Sequence, residues 1–128
     1  MRRRILSFGH NSTLLRLRNA VIQRAGHEVI TTKETTLVLE LARKQDFDAV
    51  VICNSIPVVL REAIARQLKR LKPEIPLIIL CEEEECNRFK TLAEIVIAPP
   101  AFSQDPLLHA ITRVTNKTKD QQRRIKAH

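Results

Sequence analysis

Apolar residues in this chain follow two alternating rhythms. Nearly unbroken apolar runs fall at residues 4–8, 48–53, 77–80 and 95–98, with a more mixed one at 27–31. Short runs of this kind suit strands that are covered on both faces. Between them the apolar spacing lengthens to three and four residues. Leu14, Leu17, Val21, Ile22 and Ala25 share one helical face, and Leu37 and Leu41 another. Leu60, Ile64, Leu68 and Leu71 make a third, and Leu107, Leu108, Ile111 and Val114 a last one. The pattern predicts helices over 35–44 and 58–71, and a weakly amphipathic, acidic one over 82–92.

Punctuation agrees with that reading. Asn11 or Ser12 can cap the first helix by accepting an early free N–H. Gly26 stops it, because glycine adopts the left-handed conformation that such helix ends require. Pro73 and Pro76 precede the fourth strand, Pro99 and Pro100 end the fifth, and Ser103 or Asp105 starts the last helix. Five short strands alternating with helices imply an α/β doubly wound parallel sheet. Right-handed crossovers favour the flavodoxin-like strand order 2-1-3-4-5 in a single domain. That domain is expected over 1–114, with 115–128 a basic tail that extends the last helix or frays.

Composition narrows the function classes. A chain of 128 residues can bury a substantial core. No apolar run is long enough to span a bilayer, so no membrane association is expected. The start is basic, but its apolar stretch is too short for a signal peptide. Three cysteines without an export signal point to the reducing cytoplasm. The formal net charge of +8 comes from the two ends, because residues 5–112 balance. Arg2, Arg3 and Arg4 start strand one, at the edge where the last helix ends. They should lie near Lys117, Lys119, Arg123, Arg124 and Lys126 and form one basic patch. Only four Phe and no Tyr or Trp supply aromatic rings, too few for a base-stacking platform. Any nucleic-acid role would be non-specific and salt-sensitive, and solvated termini are the blander reading. With only two glycines and no Gly-rich loop after strand one, a nucleotide or flavin enzyme is disfavoured.

The segment from Asp48 through Cys53, Asn54, Ser55 and Ile56 to Pro57 resembles the third strand and following loop of response regulator receiver domains. Leu14-Leu15-Arg16 through Ala25-Gly26-His27-Glu28-Val29, and Ile75-Pro76-Leu77-Ile78-Ile79-Leu80, extend the resemblance over roughly residues 4–114. It implies a signalling fold whose pocket lies at the carboxyl ends of the strands. The family's acidic, magnesium-holding pair falls on Gly9 and His10, followed by Asn11. Its phosphoacceptor aspartate falls on Cys53 and its hydroxyl residue on Cys81. Its lysine falls on Pro99, and its switch aromatic on Val96. All of these positions depart from the family. Magnesium takes hard oxygen ligands, and no carboxylate remains among these positions. Nothing there would neutralise a transferring phosphoryl group. The segment from Cys81 to Pro99 is also about one helical turn short for the family, so the fourth helix should be trimmed.

The remaining chemistry is sparse. His10, Cys53 and Cys81 sit at the ends of adjacent strands and form a candidate thiol or zinc site. The blander reading makes both cysteines small buried hydrophobes and His10 a capping or surface residue. Cys86, in a polar stretch, is the thiol expected to be exposed. The run from Glu82 to Glu85 reads as a solvated face that suits a helix amino end. The resulting expectation is a stand-alone, degenerate receiver-like protein without enzymatic activity, metal or cofactor. It would act by phosphorylation-independent contact with another signalling protein, or as a homodimer. Two alternatives stay open: a redox- or metal-responsive protein using Cys53 and Cys81, and a nucleic-acid accessory protein using the basic ends.

Overall fold

A computed structural model describes residues 2–98 and 106–116. Strands β1 (Arg4–Phe8), β2 (Glu28–Thr32), β3 (Ala49–Ile52), β4 (Leu77–Leu80) and β5 (Ile95–Ile97) form one sheet. Its order is β2-β1-β3-β4-β5 and every pairing is parallel, as the sequence leads one to expect. The strands alternate with α1 (Ser12–Arg24), α2 (Thr35–Lys44), α3 (Val58–Leu71), α4 (Cys86–Phe89) and α5 (106–116). The expected start of the last helix, Ser103 or Asp105, lies outside the described residues, as do Pro99, Pro100 and the tail lysines and arginines.

Strand alternation divides the core into two layers. Leu6, Phe8, Val50, Ile52, Leu77 and Ile79 pack with Val38 and Ala42 of α2 and with Ile64, Ala65 and Leu68 of α3. Ile5, Val51, Ile78 and Leu80 pack on the other face with Leu15 and Ile22 of α1. Ile111 and Val114 of α5 complete that second layer.

Helix ends form where the sequence places them. The Asn11 side chain accepts the Leu14 N–H at 3.0 Å, and Gly26 closes α1 at φ +94°. Helix faces are a different matter. The first helix buries Leu15 and Ile22, leaving Leu17 62% exposed. In α2 the buried pair is Val38 and Ala42, one position on from the expected Leu37 and Leu41. The third helix buries Arg61, Ile64, Ala65 and Leu68, and Leu71 faces water.

In place of the helix expected over 82–92, the segment holds only short turns. A 3-10 turn over Glu83–Glu85 runs into a single α-turn at Cys86–Phe89. A capping box between Glu82 and Glu85 starts the turn. The Leu92 and Ala93 N–H groups both reach the Phe89 carbonyl, which ends it. At the opposite edge of the sheet, Arg3 donates to Asn116 of α5 at 3.3 Å. This brings the basic chain start beside the end of α5. The expected partners from Lys117 onward lie outside the described residues.

Candidate functional site

The carboxyl edge of β1 and β3 is closed by the chain itself, at Gly9, Ser55 and Asn54. Register along the sheet brings Gly9 beside Cys53, and the Cys53 N–H donates to the Phe8 carbonyl at 2.9 Å. A Cβ on Gly9 would stand 3.0 Å from Cys53 Cβ, 3.1 Å from Leu15 Cδ2 and 3.2 Å from Ser55 Oγ. The chain approaches itself there as closely as a glycine allows. Ser55 Oγ then accepts the N–H groups of His10 at 3.0 Å and Asn11 at 3.3 Å. One hydroxyl thereby ties the loop after β1 to the loop after β3.

A second link crosses the same edge. Arg18 of α1 donates to Asn54 Oδ1 at 3.0 Å, and the Asn54 amide reaches Glu82 at 3.4 Å. Cys53 lies fully buried beneath these loops. Burial pushes its thiol pKa up, and the nearby Arg18 charge only partly opposes that. The thiol stays neutral, with the character of a small apolar side chain. His10 is exposed, and its ring meets the Phe8 edge at 5.9 Å between centroids.

The three residues read as a thiol or metal site do not come together. Cys53 joins the layer under α1 and α5, whereas Cys81 joins the layer under α2 and α3. Adjacent strands suggested convergence, but the two side chains leave the sheet on opposite faces. Among the described residues, no group of three or more His, Cys, Asp or Glu could hold a metal ion.

The neighbouring corner, at the end of β4, is differently built. Arg61 is buried, and its guanidinium donates to the Ile56 carbonyl at 2.7 Å and the Leu80 carbonyl at 2.9 Å. It also pairs with Glu85 at 2.9 Å, over the Phe89 ring at 5.2 Å from the centroid. Glu85 accepts the Glu82 N–H at 2.9 Å as well. Burial alone would raise the Glu85 pKa. The Glu82 N–H bond, the Arg61 hydrogen bond and the charges of Arg61 and Arg88 outweigh it and hold the carboxyl below its usual value. Beside this pair, Cys81 Sγ lies 3.3 Å from Cys86 Sγ.

The apolar pattern of the sequence marks neither the Ser55 tie nor the Arg61 anchor, and the thiol beside Cys81 is Cys86, not Cys53. A charged residue at the apolar spacing of α3, three residues before Ile64, was the available signal for Arg61. Val96 is half-buried in β5.

Comparison with solved structures bears directly on this arrangement. A response regulator receiver domain from Clostridium thermocellum superposes with a TM-score of 0.80 at 24% identity, covering 91% of this chain and 97% of that one. A CheY-like receiver domain from Methanospirillum hungatei gives 0.83 at 16% identity, covering 94% and 99%. The fold is that of a receiver domain. A third receiver domain, from a sensor histidine kinase of Pseudomonas aeruginosa, gives 0.75 at 17% identity over 91% and 99%. It holds a magnesium ion coordinated in its active site cleft. No family model and no curated protein matches the chain.

This sheet edge does not fit magnesium. It presents the Gly9 backbone, the exposed His10 ring and a buried neutral thiol. A hard divalent cation needs several oxygen ligands, preferably carboxylates. Glu82, the carboxylate linked to this edge, engages Asn54. At Gly9 even a Cβ would press on Cys53, Leu15 and Ser55.

Proposed function

We propose that this chain is a degenerate receiver-like domain in a two-component type signalling system. On this reading it works by phosphorylation-independent contact with another signalling protein and catalyses no reaction. The observation that carries the proposal is the Ser55 tie across the cleft above a buried Cys53. Phosphoryl transfer in receivers requires an oxygen nucleophile, a metal and compensating positive charge at one point. Here the nucleophile position holds a neutral thiol and the metal position holds a glycine. A scaffold with its chemistry removed still offers a surface, and receiver-like surfaces serve by binding. No helix among the described residues is long and apolar enough to cross a membrane.

The test is direct. The chain is incubated with acetyl phosphate and magnesium, and its intact mass is measured under non-acidic conditions. We expect no phosphate adduct. A stoichiometric adduct would overturn the proposal.

A further inference from the structure

The cysteines that meet in this fold are Cys81 and Cys86. Cys81 directly follows β4, fully buried, and its thiol faces the Ile97 carbonyl at 3.9 Å. Cys86 starts α4, half-buried, with the Glu82 carbonyl 3.5 Å from its sulfur. The intervening 3-10 turn doubles the chain back and brings the two sulfurs to 3.3 Å. A disulfide needs about 2.0 Å between sulfurs. Closing that gap asks for a small side-chain adjustment and no rearrangement of the sheet.

We propose that Cys81 and Cys86 form a reversible redox pair, closed by exchange with a small-molecule disulfide such as oxidised glutathione. Cys86 is the more accessible thiol and attacks first. Its thiolate bonds to one glutathione sulfur and expels the other as a glutathione thiolate. Cys81 then attacks the Cys86 sulfur of this mixed disulfide and expels the second glutathione. One protein disulfide forms, one glutathione disulfide is reduced to two thiols, and the two cysteine protons end on those thiols.

The order of attack follows from the surroundings of the two thiols. Burial, then the hydrogen bond and charge of Cys86, push the Cys81 pKa up to about 12, so it stays protonated while both thiols are reduced. Once Cys86 is in a mixed disulfide its charge is gone and its sulfur is the electrophile. Cys81 is then the resolving thiol. The finished bond would tie the single turn of α4 to the end of β4, beside the Arg61–Glu85 pair. Redox state would thereby set the rigidity of the β4–α4 segment.

Intact-mass and peptide-mapping measurements after exposure of the full chain to reduced or oxidised glutathione test the proposal. Oxidised glutathione should remove two hydrogens and link Cys81 to Cys86, and dithiothreitol should reverse the change. Cys81→Ser should trap glutathione on Cys86, and Cys86→Ser should stay unmodified. Wild-type protein that keeps glutathione on Cys86 without closing the ring would overturn the proposal. So would a link through Cys53 or between chains. The wild-type map decides the matter even if either variant fails to fold.

Discussion

At the end of β3, Cys53 lies beneath loops tied together by Ser55 and packed tightly around Gly9. At the end of β4, the next strand over, Cys81 faces a second thiol beside a buried ion pair. Both corners occupy the sheet edge where flavodoxin-like folds place their chemistry. The first has become packing. The second has gathered charge and sulfur, and the trimmed α4 is what lets it do so, because the 3-10 turn returns Cys86 to the end of β4. Two neighbouring strand ends of one sheet thus carry differently built corners.

The contrast is easiest to break at Arg61. Its guanidinium satisfies two backbone carbonyls and one carboxylate, all contributed by different parts of the chain. Arg61→Ala should destabilise the domain by about 3–5 kcal/mol, the usual cost of removing one partner from a buried pair. Urea unfolding followed by circular dichroism would measure it. A change within experimental error would mean that the β4–α4 corner contributes no anchoring.

At the other corner, Gly9→Ala tests how firmly the cleft is closed. The new methyl would press on Cys53, Leu15 and Ser55. We expect a loss of about 1–3 kcal/mol, as for other overpacked sites. The same substitution at Gly26 meets open space but a positive φ, so its cost would come from backbone strain alone. An unchanged midpoint for Gly9→Ala would show a looser cleft than the contacts describe.

The smallest effect concerns acid. The Glu85 carboxyl titrates below its ordinary 4.5 in the folded state. Its contribution to stability is therefore fully present above the unfolded-state value and is lost as pH falls through the folded one. Glu85→Gln should flatten the fall in stability across that acidic window and leave the rest of the pH profile alone. Urea midpoints measured at successive pH values would show it. Wild-type and variant curves that stay parallel through the window would detach Glu85 from the acid response.

The strands and their order were legible because uninterrupted apolar runs such as 49–52 and 77–80 have one sensible use. Helix faces were harder. With Leu14, Leu15 and Leu17 in close succession, α1 offers competing apolar stripes, and packing against the sheet selected the one through Leu15 and Ile22. The position that the resemblance gives Cys53 could be read from spacing alone, between Asp48 and Pro57. What surrounds it could not. Ser55 matters because two backbone N–H groups from another loop converge on it, and Arg61 because its acceptors come from Ile56, Leu80 and Glu85. Cys81 and Cys86 are five residues apart, a separation that brings residues together in neither a regular helix nor a strand. The adjacency of β3 and β4 pointed to Cys53 and Cys81 instead, and side-chain alternation sends those two to opposite layers.

The central proposal is that the sheet edge around Gly9 and Cys53 does not bind a divalent metal ion. A magnesium titration followed by amide resonances of residues 9–11 and 53–55 tests it most directly. The account predicts resonances that do not move beyond the uniform drift caused by salt. Saturable shifts confined to those residues would show that the cleft still binds the ion, and would contradict it.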